Sequence, residues 1–511
     1  MKTQDSNTKK LLNGSDSNYI NSNPELKSDE NLNNLSHDIN INAENQEKTA
    51  ENSKNPAKKL QFKGKKEAKI SKICLFISLL SVVLIPLFMF FIGFITKTTT
   101  PTTLTYLSTF LIAFSLFSAP LLFYERSFFS KFKLKEKNKL AIMPIILLLC
   151  FLIWATISVF FATDIKLALF DYPGRNEGLI MYFAYAIIFL GAFMLKDEHY
   201  KTIIIYFFLS TISMFCLFWF IDYLFISRAV SFMGFNFTLP WANSNHSGYM
   251  LTMASLMSAS IFLFSKQKNI KIFGACTFGL FVFTCYFNNT FGCQIAILIS
   301  IIMLSIISIV KDKQSYKKLL IMWAIFVFAT ALDALLIFLF NLPRHNFIQS
   351  IIGLFEDIFK ISKDALSLEA ETAGTNRWGL WKECFNNIAS HPIFGIGINC
   401  QMKVNPALEA SRPHNEPLQF ASTMGLPAGL FYISAIIITL ILIFKQIKKL
   451  STETLVCLMG AMGYFVSSIF GVSIPYTFPI FILFLGLGIG GFNFNKEIKQ
   501  EDGTVQETAK Q

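Results

Sequence analysis

The feature that most constrains this chain is a recurrence of long apolar runs, from about residue 73 to about residue 492. A helix that crosses a bilayer needs roughly 20 mostly apolar residues, because the hydrocarbon core is about 30 Å thick and each residue rises about 1.5 Å. Charged residues make up 15% of the chain, where a soluble domain carries about a quarter. The chain is therefore predicted to be an all-α polytopic membrane protein. A soluble enzyme, a disulfide-rich secreted domain and a nucleic-acid module are excluded. The net charge of +12 does not argue for nucleic acid, since cytoplasmic loops of membrane proteins are normally basic.

The hydropathy pattern predicts about twelve spans. They fall near 73–95, 104–124, 140–162, 178–195, 202–226, 247–264, 270–287, 291–310, 319–340, 418–443, 455–472 and 476–492. Residues 1–72 are polar, rich in Asn, Lys, Ser and Glu, and without apolar periodicity. Such a segment cannot bury enough surface to offset its chain entropy, so a disordered tail is expected there. Residues 493–511 form a second polar tail, and residues 73–492 the membrane domain. With the N-terminus placed inside, the short inner loops hold 18 Lys and Arg against 4 in the short outer loops. That asymmetry predicts that both termini are cytoplasmic. The long connection 341–417, between the ninth and tenth spans, is then extracytoplasmic. It holds two stretches with apolar residues at helical spacing, 347–368 and 376–389, which read as amphipathic helices on the membrane face or over the bundle.

Seven of the nine cysteines fall within or beside apolar runs, where Cys acts as a small hydrophobe. Cys384 and Cys400 share the long loop and can pair if their compartment is oxidising. No CxxC or HExxH spacing suggests a metal site, and no cofactor is expected. Within the spans, Asp222 and Asp333 are the main acidic residues. Charge outside the basic inner loops gathers on the outer side, in Arg175, Arg228, Arg344, Arg377 and Arg412, together with His246, His345, His391 and His414.

Three outer segments carry chemistry-bearing residues. The turn Pro173-Gly174 delivers Arg175, with an interfacial arginine as the plain alternative. The run from Trp241 to Gly248 places Asn245 and His246 at the start of the sixth span, with helix capping as the alternative. The third segment combines Arg377, Trp378 and Trp381 with Arg412, His414 and Asn415, and Gly395 and Gly397 lie between them. Guanidinium groups bind phosphate oxygens in a bidentate manner, and histidine accepts a hydroxyl proton near neutral pH. Together they suit transfer from a diphosphate-linked donor to an alcohol.

The ordered pattern Arg377-x-x-Leu380-Trp381, Pro392-x-x-Gly395-x-Gly397, His414-Asn415-x-x-Leu418-Gln419 and Gly425-Leu426 resembles the signature of the O-antigen ligase and O-antigen polymerase superfamily. Gly174-Arg175-x-x-Gly178-Leu179 and Asn243-x-Asn245 resemble further pieces of it. The resemblance implies a metal-independent membrane glycosyltransferase of C-type architecture. Its donor would be a glycan on undecaprenyl diphosphate, and its acceptor a hydroxyl on a glycan, lipid or protein. His414 and Arg377 would be catalytic, and Arg175, Arg377 and Arg412 would hold the diphosphate. Asn415, Trp381 and Asn245 would support them. The expected location is the cytoplasmic membrane, with the site on its outer side. One departure stands out: where ligases often carry an arginine opening the span after the short outer hairpin, this chain has Thr290-Phe291-Gly292. Ligase, polymerase and protein oligosaccharyltransferase remain open. So do a flippase or transporter of lipid-linked sugars and a non-catalytic family member.

Overall fold

The computed structural model describes residues 56–96, 100–124, 139–172, 175–221, 243–342, 347–365, 367–404 and 412–494. The expectations for Asp222, Arg228, Arg344, His345, Pro173, Gly174 and Trp241 lie outside the described residues, as do most of both tails. Every regular element among the described residues is helical. The polar stretch before residue 73 is not wholly unstructured, because α1 begins at Pro56 (Pro56–Val83). Ala, Lys, Leu and Gln there are good helix formers and extend the first apolar run backwards. The compact membrane unit is Ile70–Gln511.

Each predicted run overlaps one or two helices. After α2 (Ile85–Thr96) and α3 (Thr100–Tyr124) come α4 (Lys139–Val159), the short α5 (Ile165–Phe170), α6 (Leu179–Met194), α7 (Glu198–Ile221), α8 (Ser244–Phe264), α9 (Lys268–Phe287), α10 (Phe291–Lys311) and α11 (Tyr316–Phe340). By length and composition, seven helices among the described residues suffice to cross a membrane, or eight if Ile70–Val83 and Ile85–Phe91, bent by 52°, form one span. Shorter apolar helices add Thr105–Ala119, Leu179–Met194 and Phe478–Ile489 among the described residues. Helix α6, and α19 (Phe478–Ile489) near the C-terminus, are short because the polar segments preceding them fold into the bundle. Glu177, Ser473 and Thr477 are fully buried there. The expected span 418–443 is likewise divided, into α16 (Glu416–Met424) and α17 (Leu426–Gln446).

Helix α8 is the axis of the bundle. It is buried along almost its whole length and carries Ser247, Thr252, Ser255, Ser258 and Ser260 in the interior. Small side chains let neighbouring backbones approach, which is how membrane helices gain packing without a hydrophobic drive between them. It packs chiefly on α9 and on α18 (Thr452–Ser468). Peripheral helices turn large apolar residues outward, including Leu149, Leu320, Phe328 and Phe338, as lipid-facing surfaces require. Asp333 of α11 is buried.

The long loop is helical, as its periodicity predicts: α12 (Phe347–Lys363), α13 (Leu368–Glu371), α14 (Ala373–Ser390) and α15 (Gln401–Val404). No residue of α12 is buried. Ile348, Ile352, Phe355 and Phe359 are mostly exposed, the arrangement of a helix lying at a membrane surface. Cys384 and Cys400 are free thiols. Cys400 faces the carbonyls of Asp164 and Ile398, at 3.7 and 3.5 Å, so its sulfur is directed at a loop next to α4 and α5.

The glycine-rich segment after α14 is a backbone joint. Ile396 N–H donates to the Ser422 carbonyl at 3.2 Å, Gly397 N–H to Thr423 at 2.8 Å, and Leu426 N–H to Pro392 at 2.9 Å. These bonds satisfy groups left open where α16 stops and α17 starts. Phe394 stacks on Phe161 at 3.9 Å and on Trp154 at 5.5 Å, and Trp154 Nε1 donates to the Ile393 carbonyl at 3.1 Å. Gly425 has φ +92°, and a Cβ there would stand 1.9 Å from the Ile393 oxygen. Left-handed strain in a non-glycine residue costs about 1–3 kcal/mol before any clash is counted. Gly425→Ala is therefore expected to destabilise the purified protein by about 3 kcal/mol or more in thermal unfolding. Gly353→Ala, in the open α12, should be neutral or stabilising by up to about 1 kcal/mol.

Candidate active site

Arg412 is the centre of the site end of the bundle. Its guanidinium is buried. Nη1 donates to Glu177 Oε2 at 2.6 Å and to the Ser473 carbonyl, and Nη2 to Asn399 Oδ1 at 2.9 Å and Asp171 Oδ2 at 3.4 Å. Four residues from three separate chain segments meet on one cation. Glu177 also accepts from Tyr185 Oη at 2.8 Å, and its carbonyl accepts from Asn399 Nδ2 at 2.9 Å. Burial pushes the Glu177 carboxyl up, and Arg412 opposes this. Burial would lower Arg412, but Glu177 and Asp171 outweigh it and hold the guanidinium above its ordinary value. The terminal nitrogens of Arg412 are thus turned to protein acceptors.

Two residues beyond Arg412, His414 is fixed from both sides. Trp381 Nε1 of α14 donates to the Pro413 carbonyl at 2.8 Å. Asn415 caps α16, its Oδ1 accepting from Leu418 N–H at 3.0 Å. Between them His414 takes φ 53°, a left-handed turn that lets the chain pass from the buried Arg412 into α16. His414 Nδ1 is buried with no hydrogen-bond partner among the described residues. Burial, then the charges of Arg377 and Arg412, lower its pKa from 6.5 to about 4, so the imidazole is neutral at physiological pH.

Arg377 lies on α14 above the start of α10. Its Nη1 stands 3.7 Å from the place a Cβ on Gly292 would occupy, and Phe470 Cβ, at 2.6 Å from that place, is the atom packed most closely on the glycine. Among the described residues Arg377 has no hydrogen-bond or ion-pair partner. The N-cap of α10, Thr290, makes no side-chain cap; Cys293 and Gln294 N–H donate to its carbonyl, which leaves the Phe291 and Gly292 N–H groups without an acceptor among the described residues. The position lacking the expected arginine, Phe291, is thus next to Arg377 from another element. Asn245 belongs to the same corner: its carbonyl faces Cys293 Sγ at 3.7 Å, and its N–H donates to Asn243 Oδ1 at 2.8 Å. Arg175 is half-buried, with its guanidinium 6.0 Å from the Tyr172 ring. Burial first, then the Arg412 charge, pull it below its ordinary pKa.

The fold therefore groups Arg377, His414, Trp381 and Asn245, and links Arg175 to them through Arg412. Asn415 has a capping role. Sequence reasoning missed the acceptors. Glu416 is fully buried and accepts from Tyr432 Oη at 2.6 Å and Tyr464 Oη at 3.4 Å; burial pushes its carboxyl up to about 8. His246 Nδ1 pairs with Tyr476 Oη at 2.6 Å. Asp171 and Glu177 flank Arg175 in sequence, and acidic residues bordering an apolar run were the available signal. Among the described residues no three His, Cys, Asp or Glu side chains form a metal-binding group.

A family model described as O-antigen ligase matches residues 276–433. The match runs from α9 through the whole described loop into α17, and so takes in Arg377, Trp381, Arg412, His414 and Asn415. It leaves Arg175 and Asn245 to the geometry. No curated protein matches the chain.

Removing one partner from a buried pair leaves an uncompensated charge, at a cost of about 3–5 kcal/mol. Arg412→Ala and Glu177→Ala should each lower stability by that order in thermal unfolding of the purified protein, with the double variant losing clearly less than the sum. Arg377→Ala should leave the unfolding temperature near that of the wild type.

Proposed function

We propose that this multi-pass helical protein, whose residues 276–433 match a family model described as O-antigen ligase, transfers a glycan from a polyprenyl diphosphate to a hydroxyl acceptor. The site lies at the outer face of the cytoplasmic membrane, with both termini inside. The observation that carries the reading is the guanidinium of Arg377, unpartnered among the described residues, beside a neutral His414 whose buried Nδ1 has no partner among them either. A group already bonded to protein has little left for a substrate. These two groups keep their capacity.

Arg377, with the first N–H groups of α10, would cradle one phosphate of the donor, since a helix N-terminus favours anions. Arg175 would meet the other phosphate. Arg412 is assigned to holding the segments together and not to the donor. The acceptor oxygen attacks the anomeric carbon, the bond from that carbon to the diphosphate oxygen breaks, and the diphosphate leaves with the electron pair. His414 orients the hydroxyl and takes its proton. Stabilising charge on the leaving diphosphate is the larger contribution, and losing one such donor commonly costs about 10²–10³ in rate. The residues present supply acid–base and electrostatic groups, and the reading needs no cofactor.

An apolar cavity of about 160 Å³ supports a lipid-linked donor. It lies among α4, α6, α17 and α19 and is lined by Leu148, Leu152, Tyr182, Tyr185, Tyr432 and Phe478, among others. Tyr185 and Tyr432 join this wall to Glu177 and Glu416 through their hydroxyls. A hydrocarbon chain lying there would bring its head group to the site end.

Arg377→Lys and His414→Gln should each reduce conversion of polyprenyl-diphosphate glycan in membranes by about 10²-fold or more at matched protein level. An ammonium lacks the planar fork, and an amide does not act as a base. For the wild type, the acid limb of kcat/KM should lie near the His414 value of about 4 rather than near 6.5, because that profile reports the free enzyme's base. Near-normal conversion by both variants would remove the catalytic assignment.

A further inference from the structure

The end of the bundle opposite Arg377 and His414 holds a second cavity. Helix α8 starts with His246 at the site end and reaches the other end at Leu263 and Phe264. At about 1.5 Å per residue, the two ends are roughly 25 Å apart, close to the thickness of a hydrocarbon core. There a cavity of about 350 Å³ is lined by Leu263, Phe264, Ser265, Lys266, Lys271, Lys311, Asp312, Ser315 and Lys318. It sits where α8 ends, α9 begins, α10 ends and α11 begins.

Four ammonium groups and one carboxylate border this space. Two of the lysines are tied to the frame. Lys311 Nζ donates to the carbonyls of Ile447 and Leu450 at 2.9 and 3.2 Å, and Lys318 Nζ to the Leu263 carbonyl at 3.1 Å. An ammonium has three donors, so both keep at least one. The other two, Lys266 and Lys271, have no hydrogen-bond or ion-pair partner among the described residues. Asp312 makes no ion pair with them among the described residues, its Oδ1 accepting from Gln314 N–H at 2.9 Å, and a single carboxylate leaves the four ammonium groups in excess. Like charges held in one concavity repel each other and raise the local concentration of anions. The Lys317 side chain lies outside the lining.

We propose that this cavity binds the phosphate of an anionic phospholipid from the leaflet facing away from the candidate active site. Lys266 and Lys271 would contact phosphate oxygens, and Lys311 and Lys318 would complete the charge. Leu263 and Phe264 form an apolar wall, which suits the glycerol and first methylenes of a lipid and has no use for a free ion. Basic pockets between helix ends at a membrane face are a recurrent way to hold lipid phosphates. The site is independent of the transfer chemistry.

The test is lipid retention by the full-length protein, reconstituted in nanodiscs of phosphatidylcholine with a minor fraction of phosphatidylglycerol and read by native mass spectrometry. The wild type should retain phosphatidylglycerol in preference to phosphatidylcholine. Lys266→Gln combined with Lys271→Gln should weaken that retention about thirtyfold, from roughly fivefold per lysine near the surface. Lys266→Arg with Lys271→Arg should keep it, and so should Lys317→Gln. Inorganic phosphate at millimolar concentration should not displace the lipid. Displacement by inorganic phosphate would make this a free-anion site and overturn the lipid assignment. Equal retention by the wild type and the double glutamine variant would overturn the site itself.

Discussion

The arrangement at the site end depends on one buried cation. Arg412 brings together Asp171 and Glu177 before α6, Asn399 after α14, and the Ser473 carbonyl before α19. Each of these segments alone would be a polar interruption between apolar helices, costly to bury. Joined on a guanidinium, their carboxylates and amide are satisfied together. The consequence for the site is positional. With Arg412 fixed inward, Pro413 is held by Trp381 and Asn415 begins a helix, so His414 between them has a single place to stand.

The same logic separates arginines that look alike in sequence. Arg175, Arg377 and Arg412 all lie in segments expected on one face, and residue type alone gave them one role. Their partners divide them. Arg412 faces two carboxylates, whereas Arg377 stands over Gly292 with no acceptor among the described residues. A glycine at 292 and an arginine at 377 together fill the corner where an arginine opening α10 was expected. The departure at Phe291 is therefore compatible with a cation at that helix start.

Much of this was legible from the chain. Apolar run lengths located the helices, and periodicity located α12 and α14. The order of Arg377, Trp381, His414 and Gly425 marked the loop on which the candidate site is proposed. What was hidden depended on contacts between distant residues. Nothing in local spacing pairs Glu177 with Arg412, and nothing told that Gly395 and Gly397 meet the break at Gly425. Span length misled for a related reason. Hydropathy counts apolar residues, but α6 and α19 begin only after buried polar segments such as 471–477, which find partners inside the protein, and no sequence window registers those partners.

The most direct test of the account is an experimental structure of the protein with a non-hydrolysable polyprenyl-diphosphate donor. The account predicts phosphate oxygens within hydrogen-bond distance of the Arg377 and Arg175 guanidinium groups, the lipid chain against Tyr182 and Leu148, and Arg412 still on Glu177. A diphosphate bound to Arg412 with Glu177 displaced, and Arg377 turned away from it, would contradict the account.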